Sequence, residues 1–157
     1  MSGSALARLI ALVVPVALLG GALGSQYLGG LHPCEMCYWQ RWPHGAAILL
    51  AAAAFAIPAR SRTLTALAAL AIAISGAIGV YHAGVEAKIF EGFTQCTVLS
   101  RSGNTAELLQ QITHAPLVRC DEVQYRFLGL SLAAWNAILS LGGALLIAIL
   151  TLRGKRA

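Results

Sequence analysis

Charge is what this chain is short of. Of its 157 residues only 11% are Asp, Glu, Lys or Arg, against about 25% in an average soluble domain. So few charges do not cover a globule of this size for water, which excludes a soluble fold and makes the bilayer the natural solvent. Acidic residues are scarcer still, six in all, and none falls in the middle of an apolar run. That weighs against a small four-helix transporter, whose coupling site is typically a carboxylate buried within a span. A dense basic stripe is also missing. The formal charge is +5, but the Lys and Arg residues are scattered at segment ends, which excludes nucleic acid as a partner. There is no internal repeat or low-complexity tract, and the length suits a single domain, 1–157.

What is present is apolar: 58% of the residues are hydrophobic and the mean hydropathy is +0.73. A spanning helix needs roughly 20 mostly apolar residues, and four stretches qualify, at about 6–28, 38–57, 64–83 and 127–152. Pro15 is tolerable in a membrane helix, and the uninterrupted apolar part of the second stretch begins only at Gly45. The bilayer offers no water to backbone groups, so each stretch is read as a helix. Alanine and glycine recur in all four, which lets helices pack closely. The expected fold is therefore all-α, an integral membrane four-helix bundle. Arg8 before the first run and Ala22-Leu23-Gly24 near its end have a signal-peptide look. The run is longer than a leader's apolar core of about 7–15 residues, so it is read as a retained span.

Orientation follows from the loops. Arg8, then Arg60 and Arg62, then Arg153, Lys155 and Arg156 fall on one side without an acidic residue among them. Lys88, Arg101, Arg119 and Arg126 on the other side are mixed with Glu86, Glu91, Glu107, Asp121 and Glu122. The positive-inside rule puts the first group, and both termini, in the cytoplasm, with the basic tail as a topology anchor. Two loops, 29–37 and 84–126, then face outward.

All four cysteines lie in those outward loops: Cys34 and Cys37 in the short one, Cys96 and Cys120 in the long one. Outside the cytosol disulfides are permitted, and one pair per loop is the simplest of three connectivities. Cys34-Glu35-Met36-Cys37 is a C-x-x-C motif, whose thiols close a small ring and commonly have a lowered pKa. Half of a zinc site is the alternative, with His32 and His44 as flanking ligands, although zinc wants four ligands in closed geometry. The expectation is no metal. A c-type haem site is excluded because Tyr38, not histidine, follows Cys37.

Cys37 sits near the start of the second helix, where the helix dipole favours a thiolate. Arg41 is four residues on and shares its face if the helix has begun. Pro43 suits a first turn, so the helix starts either near Pro33 or near Trp42. Arg41 reads as an interfacial anchor beside the aromatic belt of Trp39 and Trp42, or as a guanidinium that holds a thiolate and stabilises charge developing on a quinone carbonyl.

Cys34-x-x-Cys37-x-x-x-Arg41 at the outer start of helix two resembles the disulfide bond formation protein B (DsbB) family. So does the segment from Cys120 through Asp-Glu-Val-Gln-Tyr-Arg-Phe127-Leu-Gly-Leu130 to Trp135-Asn136, and the match in hydropathy and cysteine order spans nearly the whole chain. The resemblance implies a bacterial inner-membrane enzyme with both termini cytoplasmic and its cysteine loops periplasmic. It would reoxidise a soluble DsbA-like thioredoxin-fold protein and pass the electrons to ubiquinone or menaquinone. It also implies roles. Cys37 is the quinone-proximal thiolate supported by Arg41, and Cys34 is its exchange partner. Cys96 is attacked by the reduced soluble protein, and Cys120 passes electrons to Cys34 through a transient interloop disulfide. A static structural bridge is the alternative for Cys96 and Cys120. The vitamin K epoxide reductase-like family runs similar chemistry, but places its quinone-side C-x-x-C near the last helix of its core; here the motif opens the second.

Other residues carry less. Glu35 between the cysteines raises a neighbouring thiol pKa by repulsion. Asn104-Thr-Ala-Glu107 resembles a capping box, opening a short interfacial helix with Leu108, Leu109 and Ile112 on one side. His82 and Glu86, four apart at the outer end of helix three, could pair, cap the helix or line a quinone pocket, with an ordinary interfacial pair the favoured reading, and His44 is a further quinone-site candidate. His114 is loop polarity, and Trp135 and Asn136 are expected to pack or bond within helix four. The oligomeric state is left open.

Overall fold

A computed structural model describes residues 2–92 and 118–153. Cys96, the Asn104–Glu107 capping box and the tail beyond Arg153 lie outside the described residues. The elements are α1 (Gly3–Tyr27), α2 (Glu35–Ala56), a 3-10 turn (Pro58–Arg60), α3 (Ser61–Glu86), two short strands, β1 (Arg126–Phe127) and β2 (Leu130–Ser131), and α4 (Leu132–Arg153). The all-α membrane bundle expected from composition is what forms. Three helical stretches among the described residues are long and apolar enough to cross a bilayer: Gly3–Tyr27, Pro58–Glu86 and Leu132–Arg153. The fourth helix, α2, has 22 residues, or about 33 Å of rise, but its first half carries Gln40, Arg41 and His44.

Packing is inverted relative to a soluble protein, and this identifies the solvent. The buried core is built from small residues, Ala7, Ala11, Ala47, Ala51, Ala68 and Ala144, with Ile72 and Ile147 between them. Large aliphatics point outward, with Leu49 73% and Leu145 63% exposed. Hydrocarbon tails are as apolar as leucine, so nothing drives leucines inward, and helices gain by bringing small residues into close contact. The bundle is tightest where α3 meets α4. A Cβ on Gly79 would sit 3.0 Å from the backbone nitrogen of Ala137 and 3.1 Å from the carbonyl oxygen of Ala133. Backbone cannot yield as a side chain can. Gly79→Leu is expected to lower the unfolding free energy by about 1–3 kcal/mol by overpacking, as read by SDS-induced unfolding in detergent. An unchanged midpoint would mean that the two helices separate there without cost.

The turns at the outer end position the site. Helix α1 closes with Leu28 and Gly29 amides donating to the Gly24 carbonyl. A Cβ on Gly29 would lie 2.7 Å from the Ser25 carbonyl oxygen, and Gly30 follows at φ +68°, so the chain needs two glycines to leave the helix here. Cys34 then caps α2, its Sγ accepting from the Cys37 amide at 3.3 Å. This settles the start of the helix at Glu35, and Pro43 lies in its interior.

The apolar run that reads as the beginning of helix four is different in the structure. Residues 126–131 form a two-rung antiparallel hairpin, with Arg126 paired to Ser131 and Phe127 to Leu130. Leu128 and Gly129 both take positive φ, 49° and 83°, as a two-residue hairpin turn requires. Trp135 donates from Nε1 to the Phe127 carbonyl at 2.8 Å, which ties the hairpin to the first turn of α4.

Candidate functional site

The N-terminus of α2 presents two thiols ahead of the apolar span. Cys34 Sγ and Cys37 Sγ are 2.9 Å apart, because the cap residue and the third helical residue share one side of the first turn. Cys34 is 2% exposed, while Cys37 is partly buried. Their acidities are split. The Cys37 thiol is pulled below its ordinary value, first by the hydrogen bond from Cys34, with the Arg41 charge a smaller contribution. The Cys34 thiol is pushed up by its hydrogen bonds to Cys120 and Cys37 and by burial. Cys37 is thus the more acidic thiol of the pair.

Cys120 arrives from the chain that precedes the hairpin and is buried against Cys34, Met36 and Val85. Two tethers hold this segment. Asp121 is gripped by Lys88 at the end of α3 and by Arg119, whose Nε and Nη2 donate at 2.9 and 2.8 Å. These cations, Arg119 foremost, draw the Asp121 carboxyl below the usual carboxylate range. On the other flank Gln124 makes a reciprocal pair with the backbone of His32, accepting at 3.2 Å and donating at 2.6 Å. The segment is thereby pinned both to α3 and to the loop before α2, which places Cys120 over Cys34. His82 completes the group, its Nε2 3.6 Å from Cys34 Sγ.

Below the thiols runs a polar ladder across three helices. Gln40 donates from Nε2 to the Met36 carbonyl at 3.1 Å and meets His82 Nδ1 at 2.8 Å. Asn136 on α4 donates to Gln40 Oε1 at 2.8 Å and to the Ser75 carbonyl on α3 at 3.2 Å. Its Oδ1 stands 2.8 Å from His44 Nε2 and accepts from Ser140 at 3.0 Å. Asn136 therefore bonds within its own helix, to Ser140, as the sequence suggests, and also across to α2 and α3. Gly79 explains the reach: a Cβ there would lie 3.1 Å from the Asn136 amide nitrogen. Interhelical bonds of this kind are worth about 0.6 kcal/mol each on average, so the ladder fixes geometry more than it stabilises the fold.

Arg41 turns toward α1. Its Nη1 donates to Gln26 Oε1 and its Nη2 to the Ala22 carbonyl at 3.0 Å, and its guanidinium stacks over the Tyr38 ring at 5.1 Å. Its Nε is buried without a partner among the described residues, as is Nδ1 of His44. Both residues line a cavity of about 270 Å³. Ala17, Leu18 and Gly21 of α1 give it an apolar wall, and Cys37, Arg41, His44 and Asn136 are its polar lining.

Of the residues singled out from sequence, the structure brings together Cys34, Cys37, Cys120, Arg41 and His44, while Cys96 lies outside the described residues. His32, one of the flanking histidines weighed as a zinc ligand, engages Gln124 through its backbone, and His44 stands in the ladder. Sequence reasoning missed Gln40, and it favoured His82 as an interfacial partner of Glu86 and Asn136 as a packing or bonding residue of its own helix, whereas all three line the cavity. Each is a polar side chain within an apolar helix, and in a bilayer that alone marks a functional candidate. His82 does meet Glu86, at 3.8 Å, but it also faces Cys34.

A membrane bundle that stacks a third cysteine on a split-acidity dithiol is built for thiol–disulfide exchange, and defines a membrane thiol oxidoreductase. The family profile for disulfide bond formation protein DsbB matches residues 4–150. The chain belongs to the DsbB family, and so to the membrane thiol oxidases of disulfide bond formation. It is also 23% identical over 137 residues to a protein of Rickettsia prowazekii (strain Madrid E) described as uncharacterized, covering 85% of this chain and 80% of that one. No solved structure matches the chain.

Proposed function

We propose that the protein is a quinone-dependent dithiol oxidase that reoxidises a soluble DsbA-like protein outside the cytoplasm and delivers the electrons to ubiquinone or menaquinone. One observation carries the quinone half. The cavity beside Cys37 is lined by Arg41 and His44, each with a buried nitrogen, Nε and Nδ1, that has no partner among the described residues. A quinone head is a flat apolar ring with two carbonyl acceptors. The α1 wall suits the ring, and Arg41 Nε–H is a donor for a carbonyl. With Nε2–H donated to Asn136 Oδ1, His44 Nδ1 keeps its lone pair and suits the hydroxyl of a quinol. A bound quinone supplies a sink for two electrons and two protons.

The protein's own residues do the rest. Cys120 and Cys34 exchange electrons across the buried contact between the two loops, with Cys96 as the outer member of the relay. Cys37, the more acidic thiol, faces the cavity, and Arg41 stabilises negative charge developing at its mouth. Overall, a protein dithiol and a quinone become a disulfide and a quinol. The orientation proposed is the positive-inside one. Arg8 stacks over Phe55 at the end of α2, and Arg60, Arg62 and Arg153 stand at that same end, opposite the cysteines, so this end is taken as cytoplasmic.

The test is turnover of purified protein in detergent with ubiquinone or menaquinone and a reduced DsbA-like protein, following quinone absorbance and partner thiols together. Arg41→Ala is expected to reduce kcat/KM for quinone by about 10²–10³-fold, the usual cost of removing one preorganised donor. Absence of turnover with both quinones would end the proposal.

A further inference from the structure

The outer end of the bundle holds a second chemical possibility, independent of quinone. Cys34 Sγ, Cys120 Sγ and a ring nitrogen of His82 all lie within 4.8 Å of one another, and all three residues are buried. They come from three separate parts of the chain: the cap of α2, the segment before the hairpin, and α3. Zinc binds thiolate sulfur at about 2.3 Å and imidazole nitrogen at about 2.0–2.1 Å, so tetrahedral angles set sulfur and nitrogen about 3.6 Å apart. Cys34 Sγ and His82 Nε2 are 3.6 Å apart. The far ring nitrogen, Nδ1, is held by Gln40 at 2.8 Å, which keeps Nε2 turned toward the sulfur, as partners behind metal-binding histidines commonly do. Glu86 Oε1 lies 3.8 Å from His82 Nε2, and a fourth position is open to it or to water.

We propose that the fully reduced protein binds one Zn²⁺ through Cys34, Cys120 and His82. Two soft sulfur ligands and an imidazole select zinc over magnesium or calcium, which take oxygen. Binding replaces two S–H bonds with two Zn–S bonds and releases two protons to water, with no change of oxidation state. The site is redox-gated: once Cys34 or Cys120 enters a disulfide, its sulfur no longer offers a thiolate. Zinc therefore binds the reduced protein alone, clamps the outer segment onto the bundle, and withholds both thiols from exchange.

The experiment uses the full-length protein in detergent, reduced with dithiothreitol and desalted without oxygen, beside a fully oxidised sample. Zinc chloride is titrated against a chromogenic zinc chelator, and cobalt(II) is added in parallel as a spectroscopic probe. The expected result is one zinc per reduced chain and none above background for the oxidised chain. Cobalt should give thiolate charge-transfer and tetrahedral d–d bands. His82→Ala and Cys120→Ser should each weaken zinc binding at least tenfold, while Cys37→Ser keeps one zinc per chain. Helix content by circular dichroism checks that variants fold, and the wild-type redox comparison needs no variant. Equal uptake by reduced and oxidised protein would overturn the proposal. So would loss of zinc with Cys37→Ser but not with Cys120→Ser, which would put the metal on the C-x-x-C pair. These readouts involve no turnover, so failure of the quinone reading would leave them intact.

Discussion

Cys37→Ser is expected to bring quinone-coupled turnover down to background while a disulfide between Cys34 and Cys120 accumulates. Acidity is split at the head of α2. Cys37 is drawn below the ordinary thiol value by the hydrogen bond from Cys34, and Cys34 is pushed above it. An ordinary thiol with a pKa of about 8.5 is only a few per cent thiolate at pH 7. Lowering the value raises that fraction, so Cys37 is the nucleophile available at neutral pH, and it lines the cavity where an acceptor would sit. Serine at this position has no thiolate at any accessible pH. With no Cys34–Cys37 disulfide to accept electrons, the Cys34 thiol, already in contact with Cys120, attacks that sulfur in a Cys96–Cys120 disulfide. This forms the Cys34–Cys120 bridge and releases the Cys96 thiol without any further oxidant. Mass mapping of the non-reduced variant after exposure to the partner should find the interloop bridge. The sign of the pH dependence also follows: wild-type activity holds as pH falls through the ordinary thiol range and is lost only on approach to the lowered Cys37 value. Undiminished quinone reduction by Cys37→Ser would take this residue off the path.

What the sequence disclosed, and what it hid, divides along physical lines. The bilayer imposes so strong a demand on the backbone that helices and a membrane fold could be read from hydropathy alone. The Cys34, Cys37 and Arg41 spacing was legible because positions three and four apart fall on one face of the first two helical turns. The start of α2 was not, since Pro33 and Pro43 both suit a helix beginning, and only the sulfur of Cys34 accepting from the Cys37 amide decides it. The hairpin at 126–131 was hidden by its composition: Phe127, Leu128 and Leu130 are as apolar as a span, and the turn is betrayed only by Gly129. Cross-helix partners were beyond reach for a different reason. Asn136, Gln40 and His82 are visible one by one as polar residues in apolar helices. That they meet depends on the close approach of α3 and α4 at Gly79, a packing fact that no single segment contains.

Cys120→Ser is expected to separate two activities that run together in the wild type. Cys34 is 2% exposed, so a folded protein the size of a thioredoxin domain cannot bring its own thiol to that sulfur. Electrons from such a partner have to be carried inward by a residue of the outer segment, and Cys120 is the one the tethers through Asp121 and Gln124 hold there. Serine in its place leaves the fold and the Cys34–Cys37 pair intact but breaks the relay. Oxidation of a reduced DsbA-like protein should therefore fall to background. A small dithiol is under no such restriction, because Cys34 and Cys37 both line the cavity. Dithiothreitol at high concentration should still reduce the pair directly and sustain quinone reduction at a rate within about tenfold of wild type, since Cys37, Arg41 and His44 are kept at the cavity and residues in contact commonly couple by about 1 kcal/mol. Loss of both activities would mean that Cys120 acts on the cavity itself as well as on the path leading to it. Retention of both would mean that the partner reaches Cys34 without help, and that the buried contact between the loops is structural.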